Sequence, residues 1–128
     1  MKWFFFLSGI FLLTISAENC KRKDKNNKSF SEVFKGKLEI KAICMNYTIR
    51  VLDNIDTLNV VTQWTDETTK KSYKNVFALA NPCNFPDSIK QGDEFYFVID
   101  AISTKPCMVC LAYYPIPGKK LPIKIVNK

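Results

Sequence analysis

Cysteine placement constrains this chain more than any other feature. The chain has five cysteines and no histidine, and Cys83, Cys107 and Cys110 all fall within residues 76–112, beside its most regular strand pattern. Residues 94–102 alternate, with Phe95, Phe97 and Ile99 on one face and Glu94, Tyr96, Val98 and Asp100 on the other. That two-residue period predicts a half-buried strand. Gln91-Gly92-Asp93 supplies turn chemistry just before it. Upstream, Asn81-Pro82-Cys83-Asn84-Phe85-Pro86 carries two prolines, which cannot donate to a central ladder, so Cys83 is expected in a loop or short turn between strands.

A run from Trp3 to Ile15 is apolar, Lys2 precedes it, and Ser16-Ala17 follow as small residues, which is the layout of a secretory signal. The run falls short of the ~20 apolar residues of a permanent membrane span. Export implies an oxidising compartment in which cysteines pair. The formal charge of +7 resembles a nucleic-acid footprint until it is mapped. Lys21, Arg22, Lys23, Lys25 and Lys28 stand against Asp24 in one polar run, whereas from Phe30 onward 13 basic residues face 10 acidic ones. Such a run without aromatics reads as a solvated tether, which anionic headgroups would attract, and no nucleic-acid partner is expected. The expected organisation is a signal over residues 1–17, or 1–19 if Cys20 is lipidated, a polar basic tether over 20–29, and a single β domain over 30–128.

Strand patterns recur along that domain. Over residues 37–44, Leu38, Ile40, Ala42 and Cys44 share one face, while Lys37, Glu39 and Lys41 face solvent. Tyr47, Ile49 and Val51 then alternate over residues 47–52, so the two runs form a tight pair or one long bent strand. Further strands are expected over residues 58–64, 72–79 and 121–126, with residues 65–71 as a hairpin connection, a dense apolar run over 107–114, and a turn over 115–120. One helical turn near residues 88–90 is the only helix signal. About six or seven short strands in ~99 residues bury roughly two-thirds of the unfolded surface, a marginal core that disulfides would help.

Cys44, Cys83, Cys107 and Cys110 are the candidates for those bridges. Cys107-Met108-Val109-Cys110 has the spacing of a redox or zinc motif. Redox pairs sit at a helix N-terminus, and none follows here. No histidine or second knuckle accompanies it, so neither a metal nor a cofactor is expected. If residues 107–110 run as a regular strand, the two cysteines lie on opposite faces, ~10 Å apart, beyond the ~7 Å a disulfide tolerates. They should pair separately with Cys44 and Cys83, and Cys44 with Cys110 and Cys83 with Cys107 is the favoured arrangement.

Catalytic constellations are missing. Without histidine the commonest general base and the Ser-His and Cys-His nucleophile arrangements are gone. Asp93-Glu94 and Asp66-Glu67 read as solvated loop acids. The expectation is that this chain is not an enzyme. The most apolar and stiff loop, Tyr113-Tyr114-Pro115-Ile116-Pro117, is the candidate contact site, with one tyrosine facing the core and the other forming an exposed patch with Trp64.

An odd cysteine in an exported protein needs a role. Cys20 follows the apolar run and begins Cys20-Lys21-Arg22-Lys23-Asp24, and over these first 29 residues the chain resembles the small envelope lipoproteins of the Bacteroidota type. The resemblance implies acylation of Cys20 and a membrane-anchored place in the cell envelope. Ala17-Glu18-Asn19 departs from the usual lipobox, and cleavage after Ala17, leaving a secreted or periplasmic protein with a free or intermolecular Cys20 thiol, is the alternative. From Phe34 to Val126 the strand pattern and the cysteine tie between first and late strands resemble an OB-type or netrin-like small barrel, with a two-sheet sandwich as the rival. The expected function is a non-enzymatic binding or interaction module for an unknown protein or envelope ligand. A secreted netrin-like protease inhibitor is the other reading.

Overall fold

The computed structural model describes residues 31–102 and 107–128. The signal segment, Cys20 and the basic tether lie outside the described residues. Seven strands form one sheet: β1 (Phe34–Lys41), β2 (Tyr47–Val51), β3 (Val61–Thr65), β4 (Ser72–Leu79), β5 (Glu94–Ile99), β6 (Lys120–Leu121) and β7 (Ile123–Val126). Among the described residues the only helical pieces are the 3-10 turns Ile43–Met45 and Pro82–Asn84. The expected turn at residues 88–90 reduces to one bond, from Ile89 N–H to Pro86 O.

Strand order is β3-β4-β2-β1-β5-β7, with β6 pairing the end of β4 off this path. Every pairing is antiparallel except β4 with β6, which is parallel. The sheet comes back on itself through residues 120–126, whose first part pairs β4 and whose last part pairs β5. Pro122 separates the two parts because it has no N–H for a ladder. Asn81 repairs the break: its side chain donates to Ile123 O at 2.8 Å and accepts from Ile123 N–H at 2.9 Å. The domain is therefore an all-β sheet curled towards a small barrel that is not continuously closed, and the word barrel describes it loosely.

The core follows the alternation. Phe95 and Phe97 of β5, Leu38 of β1, Tyr47, Ile49 and Val51 of β2, and Phe77 and Leu79 of β4 are all buried. Phe97 is the hub, with ring centroids 5.7 Å from Phe34, 5.8 Å from Phe77 and 6.1 Å from Phe95. From Phe95 the chain of rings continues to Phe85 at 5.5 Å and on to Tyr47 at 5.8 Å. Offset and edge-on aromatic pairs at such spacings add to plain burial.

Gly36 makes this arrangement possible. A Cβ there would lie 2.9 Å from Phe97 Cε1 and 3.2 Å from Phe95 Cε2. Replacing a strand glycine with alanine ordinarily helps by restricting the unfolded chain, but two buried rings stand in the way. Gly36→Ala is expected to lower stability by about 1–3 kcal/mol, the scale of overpacking, read as a fall in the urea midpoint at constant slope.

Two sequence expectations need correction in β1: Glu39 is not turned to solvent, and the strand ends at Lys41, which leaves Cys44 in the turn that follows. The alternation places Glu39 on the outer face, where Lys37 and Arg50 close around it; a bulge between Leu38 and Ile40 slips the register. Leu38 and Ile40 are both buried, and Glu39 is only 9% exposed. The β1 and β2 runs also resolve as a tight antiparallel pair joined by the Ile43–Met45 turn. Elsewhere β3 begins at Val61 and β5 ends at Ile99, later and earlier than the patterns suggest.

Candidate functional site

Both disulfides form as favoured: Cys44 with Cys110, Cα atoms 5.0 Å apart, and Cys83 with Cys107, 5.6 Å apart. The premise of a strand at 107–110 is corrected, because residues 107–119 contain no strand at all. Here two bridges, with Pro115 and Pro117 beyond them, take the place of a ladder. The bonds place the folded domain in an oxidising environment, extracellular or periplasmic.

Each bridge is anchored in a short turn between strands. Cys44 and Met45 occupy the left-handed region, with φ of 58° and 57°, a conformation unfavourable for side chains larger than glycine's. Asn46 fixes the turn by donating from Nδ2 to Ile43 O at 2.9 Å, and the same amide group reaches Ala112 O at 3.4 Å. Cys83 lies in the Pro82–Asn84 turn that follows β4.

Residues 107–114 are thus held at Cys107, Cys110 and Ala112, and next at Tyr114, whose hydroxyl donates to Asp66 Oδ2 at 2.9 Å. Between these ties the side chains point outward. Met108 is 96% exposed, Leu111 100% and Tyr113 83%, and Ile43 of the facing turn is 61% exposed. No acidic residue occurs in residues 42–46 or 107–114. Large apolar side chains held in solvent by covalent ties mark a contact surface more strongly than scattered exposed ones do. Cys44, Cys107 and Val109 of these segments help line a cavity of about 200 Å³, with Met45, Tyr47, Leu79, Ile116 and Lys120 among its other walls.

The two tyrosines of the candidate loop have separated roles. Tyr113 is the outward one. Tyr114 is half-buried and pins the loop to the β3–β4 hairpin through Asp66. The reading of Asp66 as a solvated acid is corrected: it is 1% exposed and accepts from Thr68 N–H at 2.8 Å, Thr69 Oγ1 at 3.0 Å and Tyr114. Burial alone would raise its pKa, but the bonds from Thr68, Tyr114 and Thr69 outweigh that and hold its carboxyl below the ordinary range. The same bond to Asp66 pushes the Tyr114 phenol above its ordinary value.

Trp64 is half-buried on β3, and its ring stacks on Tyr73 at 6.0 Å. Its ring partner is on β4, across the hairpin that the Asp66–Tyr114 bond ties to the loop. Ile43, Met108 and Leu111 are further exposed apolar residues of the segments around the Cys44–Cys110 bridge, and the uninterrupted lack of charge there is the sequence signal that points to them. Among the described residues no group of three or more His, Cys, Asp or Glu could hold a metal ion, and no helix is long and apolar enough to cross a membrane.

No family model, curated protein or solved structure matches this chain.

Proposed function

We propose that this chain is a non-enzymatic binding module of a cell envelope, exported by its N-terminal apolar segment, anchored through an acylated Cys20, and presenting the Met108, Leu111 and Tyr113 surface to another envelope protein. The observation that carries the reading is the disulfide-clamped apolar surface itself. Two bridges and the Tyr114 bond fix the backbone in advance, so little ordering entropy is lost when a partner docks. The cavity lined by Cys107 and Val109 offers a place for one side chain of that partner, the arrangement typical of an interface anchor. The odd cysteine and the lysine-rich run behind it support the anchor, since one acyl chain with a basic segment gives firmer membrane attachment than one chain alone.

Two outcomes are expected. Tyr113→Ser and Leu111→Ser should each leave stability within about 0.5 kcal/mol, as exposed substitutions do, while removing crosslinks formed in cells between this surface and its partner. Undiminished crosslinking by the double variant ends the contact role. For the anchor, the native protein should partition into the detergent phase and carry acyl mass on Cys20. A mature chain that begins at Glu18 without added mass would contradict it.

A further inference from the structure

A second cavity of about 330 Å³ lies on another part of the sheet, lined by Lys37, Glu39, Arg50, Lys71, Ser72, Tyr73 and Lys74. β1, β2 and β4, which supply all of these but Lys71 at the end of the β3–β4 connection, are neighbours in the order β4-β2-β1. Four cations therefore face one carboxylate. Glu39 does not satisfy them: its Oε1 is 3.8 Å from both Lys37 Nζ and Arg50 Nη1, ion-pair distances too long for hydrogen bonds. Arg50 Nε is shielded from solvent and has no hydrogen-bond partner. A buried donor left unmade is costly, so the guanidinium has an unspent donor, its Nε–H, at the edge of an excess of positive charge.

We infer that this cavity is a binding site for a phosphate-type oxyanion, with Arg50 as the planar donor and Lys37, Lys71 and Lys74 as the surrounding charges. Guanidinium geometry suits a tetrahedral oxyanion, and flanking ammonium groups add charge without directional demand. The walls are preorganised. Lys71 Nζ sits over the Tyr73 ring at 5.1 Å, Tyr73 stacks on Trp64, and the hairpin below Lys71 is closed by the bond from Asp66 N–H to Lys71 O at 2.9 Å. Ser72 Oγ is already engaged with Thr65 Oγ1 at 2.8 Å and is not counted among the ligand's partners. The anion is free phosphate or the phosphate of a lipid headgroup. The site is independent of the apolar surface around Cys110.

The test uses the folded, oxidised chain and inorganic phosphate, against chloride at matched ionic strength. Arg22 and Arg50 are the only arginines, so two Nε–H resonances report in one spectrum, one from the tether and one from the site. Saturable movement of the Arg50 signal with Arg22 unmoved is expected. Lys71→Gln with Lys74→Gln should weaken phosphate binding by about tenfold or more, whereas Lys124→Gln with Lys128→Gln, an equal charge removed from the β7 end, should leave it unchanged. Parallel, non-saturating shifts at both arginines, or equal weakening by both pairs, would overturn the site. Phosphatidylcholine vesicles containing phosphatidic acid identify the source. Capture that depends on Lys71 and Lys74 assigns the site to a headgroup; phosphate binding with vesicle capture indifferent to that pair assigns it to the free anion.

Discussion

Removing the Cys44–Cys110 bridge by a double alanine substitution is expected to destabilise the oxidised domain by roughly 4 kcal/mol, and removing Cys83–Cys107 by roughly 3 kcal/mol, on the chain-entropy account. The difference follows from sequence separations of 66 and 24 residues. Small domains are stable by only ~5–15 kcal/mol in all, so the first loss removes a large share. Its consequences should also be uneven. The aromatic cluster on Phe97 is built by strands that need neither bridge, whereas residues 107–113 depend on both. Urea titration followed by tryptophan fluorescence measures the loss, and hydrogen exchange should show protection disappearing first at Ala42 and Asn46, whose amides close the Ile43–Met45 turn. Equal midpoints for the two double variants and the parent would contradict the expectation.

Asp66→Ala should be the most damaging change outside the core and the bridges, at about 2–4 kcal/mol, because it leaves the Thr68 N–H and the Tyr114 hydroxyl without their acceptor in a part-buried site. The same clamp predicts a pH dependence. Asp66 has a carboxyl held below its ordinary range in the fold, so its contribution is complete above the unfolded value near ~4 and is lost as pH falls from there through the folded value. Tyr114 works in the opposite direction. Its phenol is raised in the fold, so its contribution is complete below the unfolded value of ~10 and is lost as pH rises through the folded one. Stability measured against pH should therefore fall at both ends, and Tyr114→Phe should remove the alkaline decline attributable to this bond. An Asp66→Asn variant with unchanged acid sensitivity would show that other carboxylates govern it.

Where burial is one-sided, the fold is legible in the sequence. The alternations through Phe95 and Phe97 and through Tyr47, Ile49 and Val51 report directly on a face turned to the core, and β4 has the limits its pattern suggests. Legibility fails where geometry is set by partners distant in the chain. Glu39 is buried because Lys37 and Arg50 close around it on the outer face of the sheet. Asp66 is buried because Tyr114, 48 residues away, closes over it. The cysteine pairing is reached from the idea of opposite strand faces, although residues 107–110 are not a strand. Two distant turns, not a pleat, separate the partners of Cys107 and Cys110. Of the exposed apolar residues, Tyr113 is singled out by the sequence and Ile43 falls on the solvent face of its alternation, whereas Met108 and Leu111 belong to an apolar run that reads as a strand and show their exposure only in the structure.

Site-specific photocrosslinking in cells tests the proposed role most directly. A photoreactive phenylalanine analogue at Leu111 or Tyr113, compared with one at exposed Thr62 on β3, should give a discrete protein adduct from the first two positions alone. The adduct should vanish when Cys44 and Cys110 are both alanine, because the surface is then no longer held. Adducts of equal yield from Thr62, or adducts that persist without the bridge, would contradict the account of a disulfide-clamped binding surface.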